Sequence, residues 1–333
     1  MTAIDHTRLR AWLKDHANIV DCAIESVSGD ASFRRYFRVR TGERDYILMD
    51  APPDREDSAP FVDVTHRLAN AGLHVPGILK ADLQAGLLLL DDLGDDLYLN
   101  HLHDDNAAEL YGHALAALQR IQAADPGGLP NYDRGLLIRE MMLFRDWFLE
   151  RHLGIAPNPE MDAVLKRTFE TLVGVALEQP HVFVHRDYHA RNLMLTPHDP
   201  PGILDYQDAV CGPVTYDLVS LLKDSYIAWP RERQITWVLA YRDRIVTAGI
   251  IDPADDTTFL RWYDLTGVQR QLKVCGIFAR LNYRDGKPGY LRDIPLTYRN
   301  LVDAAGRYPE TGELTRMLAA LQIDPGAPGL RVS

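Results

Sequence analysis

Asp187, Asn192 and Asp205 are the residues whose types and spacing most directly suggest chemistry in this chain. They lie in Val182-Phe183-Val184-His185-Arg186-Asp187-Tyr188-His189-Ala190-Arg191-Asn192-Leu193-Met194-Leu195, followed by Gly202-Ile203-Leu204-Asp205-Tyr206. Moving a terminal phosphoryl group from a nucleotide to a hydroxyl needs a carboxylate beside the accepting oxygen and hard oxygen ligands for Mg²⁺. The order matches H-R-D-x-x-x-x-N followed by a metal-binding aspartate. Asp187 therefore reads as the catalytic base, and Asn192 and Asp205 as the metal ligands. His-Arg-Asp alone would be an ordinary surface turn. The asparagine five residues on and the apolar strand-like runs on both sides make the pattern specific.

These side chains need elements to hold them. The first ninety or so residues read as an amphipathic helix over 4–16, then a β-meander. Phe33-Arg34-Arg35-Tyr36-Phe37-Arg38-Val39 and Asp45-Tyr46-Ile47-Leu48-Met49 are rich in aromatic and β-branched residues and flank the turn signal Thr41-Gly42-Glu43. A helix is expected over 59–71 and strands over 77–80 and 86–90. Helical spacing then recurs over 106–123, 135–152, 160–178, 215–227, 231–248 and 257–281. The chain is thus α+β: a small N-terminal sheet lobe, 1–92, and a larger, mainly helical lobe, 95–333. The apolar run Leu87-Leu88-Leu89-Leu90 stops at Asp91-Asp92-Leu93-Gly94, so a hinge belongs near 91–94. A nucleotide base would lie against its backbone at Asp91 and Leu93.

Ser28-Gly29-Asp30-Ala31-Ser32 falls between two expected strands. Small residues there let backbone N–H groups approach phosphate oxygens, so Ser28, Gly29 and Ser32 are candidate phosphate contacts. Gly72-Leu73-His74-Val75-Pro76-Gly77 has P-loop glycine spacing but continues with Ile78-Leu79 where Lys and Ser/Thr are required, which excludes a Walker A site. The strand lysine that holds phosphates in V-A-I-K is also missing, its place taken by Met49. Arg34 or Arg35 could supply the cation, since a guanidinium pairs bidentately with phosphate.

A chain of 333 residues can bury a large core, and its net charge of −11 argues against a nucleic-acid surface. Cys22, Cys211 and Cys275 are scattered, which fits neither a disulfide framework nor a zinc knuckle. No signal peptide and no membrane-length apolar run is read, so a cytoplasmic location is expected. His181, His185 and His189 would share one helix face, but Pro180 and the β-branched run make this a strand entering a loop, and H-E-x-x-H is absent.

These residues resemble the aminoglycoside phosphotransferase and choline kinase superfamily, small-molecule kinases with a two-lobed protein-kinase-like fold. Asp187, Asn192 and Asp205 fall on its catalytic and metal positions, and His189 on its frequent loop histidine. Gly212-Pro213-Val214-Thr215-Tyr216-Asp217-Leu218 looks like its G-D-P-x-x-D-L element, which implies that Asp217 caps a helix and braces the loop. Gly29-Asp30-Ala31-Ser32-Phe33-Arg34-Arg35-Tyr36-Phe37-Arg38-Val39, Leu48-Met49-Asp50-Ala51-Pro52-Pro53 and the catalytic string are similar to the anomeric amino-sugar kinases of bacterial cell-wall recycling, which also carry methionine at the lysine position.

The resemblance implies ATP- and Mg²⁺-dependent transfer to the C1 hydroxyl of N-acetylmuramate or N-acetylglucosamine. His189 would face the γ-phosphate. Asp208 and Arg284 have the chemistry to meet sugar hydroxyls and a lactyl carboxylate. The expected partner is a small-molecule sugar, with no nucleic acid or membrane, bound by a monomer. Two other readings stay open: a kinase of another alcohol of aminoglycoside, choline or homoserine type, for which the acidic run Asp91-Asp92-Leu93-Gly94-Asp95-Asp96 could serve, and a nucleotide-binding module without turnover.

Overall fold

A computed structural model of the chain describes residues 5–27 and 33–323. The chain forms two compact units, one comprising the residues up to Asp96 together with Met194–Asp208, the other Leu97–Leu193 and the residues from Ala209 onward. An excursion of the chain back into the first unit thus separates two stretches of the second.

In the first unit Asp5 caps α1 (His6–Ala17) by accepting the Thr7 and Arg8 N–H groups. Leu9, Trp12 and Leu13 lie on one stripe of α1 and are buried against Phe37, Val39, Leu48, Leu87 and Leu89. Those partners alternate along β2 (Arg35–Arg40), β3 (Asp45–Asp50) and β5 (Leu87–Asp91), so they share one sheet face. With β1 (Ala23–Ser26) and β4 (Ile78–Asp82) they form an antiparallel sheet in the order β1-β2-β3-β5-β4. Between β3 and β4 runs α2 (Ala59–Asn70), where Phe61 stacks on Tyr206 of the returning segment at 5.3 Å. The Thr65 and Tyr206 hydroxyls share a hydrogen bond of 2.9 Å, and the Ile203 N–H donates to the His74 carbonyl at 2.8 Å.

The second unit begins with α3 (Tyr98–His101), α4 (Ala107–Ala123), α5 (Arg134–Leu143) and α6 (Pro159–Glu178). Then come β6 (His181–Val184) and β7 (Leu193–Met194), the excursion with β8 (Gly202–Ile203), and β9 (Val210–Pro213), which pairs antiparallel with β6. The chain ends with α7 (Tyr216–Leu222), α8 (Arg231–Thr247), α9 (Asp256–Tyr283), α10 (Ile294–Ala305) and α11 (Gly312–Ala320). The long α9 is the axis of this unit, and every residue of 263–276 is buried. No described helix is long and apolar enough to cross a membrane.

Three local differences from the periodicity reading have physical causes. The helix expected over 135–152 is α-helical only to Leu143 and continues as a π-helix, Phe144–His152, where α9 presses on the Leu143 backbone. The helix expected over 215–227 stops at Leu222 because Lys223 and Asp224 turn inward to buried partners. Helices α10 and α11 lie beyond the expected ones, although in α10 Pro295 follows Ile294 at the start and Tyr298, Leu301 and Ala305 are buried at helical spacing.

Gly276 is what allows α9 its approach, since a Cβ there would overlap the Leu143 carbonyl. Gly276→Ala is expected to lower stability by about 1–3 kcal/mol, the cost of overpacking a close contact. Urea unfolding of the two proteins measures it, and equal midpoints would refute the close approach.

Candidate active site

The apolar residues Val182, Phe183 and Val184 are buried in the β6–β9 ladder, which ends where Val184 faces Val210. Beyond it Arg186 adopts a left-handed backbone with φ of 77°. For a residue with a Cβ this conformation costs on the order of 1 kcal/mol and persists only where its surroundings impose it. Asp217, in the first turn of α7, imposes it by accepting the His185 N–H at 2.6 Å and the Arg186 N–H at 2.9 Å. The brace implied by the resemblance is therefore present. The helix cap is not, because Thr215 occupies that position.

The Arg186 guanidinium ion-pairs with Glu140 of α5 and lies over the Tyr132 ring. Glu140 also accepts from the Tyr132 hydroxyl and pairs with Lys273 of α9 at 3.0 Å. Several further bonds hold the loop. Asn192 Nδ2 donates to the Asp187 carbonyl at 2.9 Å, the Asn192 N–H to the His189 carbonyl at 2.8 Å, and the Leu99 N–H to the Ala190 carbonyl at 3.1 Å. The buried Asp224 carboxylate receives the Ala190 N–H at 3.2 Å.

Electrostatics favour the ionised form of Asp187. Burial disfavours its charge, but Lys273, with Arg186 and Arg270, outweighs that and holds the carboxyl below its ordinary value. Among the described residues no side chain donates to this carboxylate, so a substrate hydroxyl could. Burial lowers the His189 imidazole to about 3 against the pull of Asp187, making it a neutral ring near pH 7. Burial raises Asp217 to about 7 and Asp224 to about 6, against the backbone N–H groups that favour their ionised forms.

Asp187, His189 and Asn192 thus come together on one braced loop. The remaining candidates of the first unit have their own surroundings. Asp205 has a φ of 62° and accepts from Gln207 Nε2 at 2.8 Å, while Asp208, on the turn after it, is exposed. Asp91 pairs with Arg44, and the half-buried Leu93 side chain abuts Gly202. Arg34 is buried against Glu56 at 3.2 Å, and Arg35 reaches Asp50 at 2.6 Å. Met49 is fully buried on β3, in register with Tyr36 and Leu88. Ser28, Gly29 and Ser32 lie outside the described residues. In the second unit Arg284 is exposed, with Nε and Nη2 on Asp285.

Glu140, Lys273, Asp224 and Arg38 were not found from sequence. Arg38 of β2 grips the connector after β5, with Nε on Asp92 at 2.5 Å and Nη1 on Asp95 at 2.7 Å. Each is an ordinary charged residue within a regular pattern, and its partner is distant along the chain. Asp217, by contrast, was legible through the resemblance of residues 212–218 to the G-D-P-x-x-D-L element.

Residues 23–266 match the model of the phosphotransferase enzyme family. A relative from Pseudomonas aeruginosa, named N-acetylmuramate/N-acetylglucosamine kinase, is 53% identical over 295 residues, 88% of this chain and 87% of its own. One of the same name from Pseudomonas putida is 46% identical over 327 residues, covering 95% and 96%. A spectinomycin phosphotransferase solved with ADP and spectinomycin superposes with a TM-score of 0.65 at 13% identity, covering 94% of this chain and all of that one.

The Glu140 cluster carries a pH-dependent prediction. Burial opposes its charge, but Lys273 and then Arg186 prevail and hold its carboxyl below the ordinary value. A depressed folded pKa contributes stability above the unfolded value, and that contribution disappears as the pH falls through the folded one. Glu140→Gln should therefore cost about 3 kcal/mol near pH 7, the scale of stranding buried cations. The gap to wild type should shrink below about pH 4, beneath the usual glutamate range. Denaturant titrations at both pH values measure it, and a gap that does not depend on pH would contradict the ionised cluster.

Proposed function

The chain belongs to the phosphotransferase enzyme family, and from that membership we propose that it is an ATP-dependent sugar kinase. Its acceptors are N-acetylmuramate and N-acetylglucosamine, phosphorylated on the anomeric hydroxyl to the sugar 1-phosphate in peptidoglycan recycling. The observation that carries this reading is the one name shared by relatives 53% and 46% identical across most of the chain. The braced loop supplies matching chemistry.

Asp187 orients the anomeric hydroxyl and accepts its proton, a role suited to a carboxylate kept anionic by Lys273 and Arg186. His189 offers a neutral ring N–H to a phosphoryl oxygen. Asn192 and Asp205 are the proposed Mg²⁺ ligands. Two oxygen-bearing side chains fit this ion, which is held by few protein groups plus substrate phosphates and water. Held there, the ion would neutralise charge that spreads over the phosphoryl oxygens. The nucleotide phosphates fall to Ser28, Gly29, Ser32 and Arg34, and the base to the connector at Asp91 and Leu93. Asp208 and Arg284 remain proposed contacts for the sugar.

The acidic connector bears on the alternative of a cationic acceptor. Asp92 and Asp95 are engaged by Arg38, and Asp91 by Arg44, so these carboxylates already have cationic partners. That favours an uncharged or acidic acceptor over an amino alcohol or aminoglycoside. We place the enzyme in the cytoplasm as a monomer, where ATP is available and the free thiols of Cys22, Cys211 and Cys275 stay reduced.

Incubation with ATP, Mg²⁺ and N-acetylmuramate, N-acetylglucosamine, glucose or kanamycin, followed by NMR of the products, tests the assignment. Phosphate is expected on C1 of the two acetamido sugars, and phosphate on another hydroxyl would refute the anomeric specificity. Asp187→Ala should lower kcat by about 100- to 10,000-fold, the usual range for a general base. Binding of ATP, followed by calorimetry, should change little. Wild-type turnover in this variant would remove the base assignment.

A further inference from the structure

The loop that carries Asp187 also carries an arginine with no task in the chemistry above. Arg191 is half-buried, four residues after Asp187. Its guanidinium carbon stands 4.6 Å from the centre of the Tyr226 ring and 5.9 Å from that of Tyr290. Tyr290 stacks on Phe278 at 5.5 Å and 28°, and Tyr226 lies 6.1 Å from Phe278. Tyr226 also meets the His189 ring edge-on at 5.5 Å. The turn after α7, the end of α9 and the 3₁₀ segment Pro288–Asp293 thus bring one aromatic wall to the catalytic loop.

Asp224 fixes this arrangement from behind. Its carboxylate receives the Ala190 N–H and the Tyr226 N–H, each at 3.2 Å, so one buried acid anchors both the residue preceding Arg191 and the ring beneath it. His189, in contact with that ring, feels the charges of both Asp187 and Arg191. The arginine is therefore close to the proposed base, within the same unit.

Stacking occupies the faces of a guanidinium and leaves its edge N–H groups for a planar acceptor. Apart from a contact with the Tyr226 hydroxyl, Arg191 has no ion-pair partner among the described residues. Asp293, the acid that feels its charge, lies beyond ion-pair distance. Arg186, on the same loop, is by contrast committed to Glu140. An aromatic wall suits the C–H face of a pyranose, and a guanidinium edge suits a carboxylate.

We propose that Arg191, seated on Tyr226 beside Tyr290, recognises a carboxylate on the acceptor, so that the site selects acidic 2-acetamido sugars over neutral ones of the same ring. This deepens the sugar-kinase reading and rests on it. Of the two proposed acceptors, N-acetylmuramate carries a carboxylate and N-acetylglucosamine does not.

The test is the ratio of kcat/KM for N-acetylmuramate to that for N-acetylglucosamine, measured with ATP and Mg²⁺ in wild type, Arg191→Met and Arg191→Lys. Because the ratio is taken within each protein, a misfolded fraction scales both values and cancels. In Arg191→Met it should fall by about 10- to 100-fold, the scale of a lost charge-assisted hydrogen-bond pair, chiefly through KM for the acidic sugar. Arg191→Lys, which keeps the charge but not the planar fork, should give an intermediate ratio. Should Arg191→Met turn over neither sugar, Arg191→Lys decides by the same criterion, a fall supporting the inference and no change overturning it. An unchanged ratio in an active Arg191→Met overturns this inference and leaves the sugar-kinase reading standing. Turnover of neither sugar by wild type overturns both.

Discussion

The left-handed turn at Arg186 is the constraint on which the second unit's chemistry depends, because it takes the chain out of the β6–β9 ladder and into the loop bearing Asp187. A backbone in that region does not hold itself. Two buried acids hold it from different directions: Asp217 captures the N–H groups of His185 and of Arg186 itself, and Glu140 captures the arginine's side chain. The residue that bears the strain is therefore held through both its backbone and its side chain. Removing either acid would leave a buried donor or cation without its partner, which costs more than the lost attraction alone.

Those acids are offset by α9, which is enclosed on all sides yet is not an apolar helix. Lys273 completes the Glu140 cluster, and Gln271 donates to the Lys223 carbonyl at 2.8 Å. Asp264 takes Lys223 Nζ at 2.7 Å and pairs with Arg231. Arg270 contributes charge felt by Asp187, Asp217 and Asp224. Buried polar side chains on a central helix fix its rotation and register more narrowly than apolar contacts would, since each must meet one particular partner. Positive charge from α9 then has a direct chemical consequence, an anionic Asp187.

In the first unit the arginines of the sheet are similarly committed. Arg35 with Asp50, Arg34 with Glu56, and Arg38 with Asp92 and Asp95 tie β2 to its surroundings. The position where a strand lysine would be expected is Met49, fully buried and in register with Tyr36 and Leu88.

Much of the fold was legible in the residues themselves. Helical spacing located α1, α2, α4, α6 and α8 to within a few residues, because each buries one stripe and periodicity records which stripe, and it also located α9, which is buried all round over 263–276. Chemical type and order singled out Asp187, Asn192 and Asp205, because phosphoryl transfer demands particular functional groups. Glu140, Lys273, Arg38, Asp224 and the Arg191–Tyr226 stack were illegible, as was the return of Met194–Asp208 to the first unit. Within a helix or strand a charged residue looks the same whether it faces water or a buried counter-charge. Sequence thus determined which groups are available for chemistry and which elements carry them. Tertiary structure decided which charges lose their water and meet one another, because burial and pairing depend on distances between residues far apart in the chain.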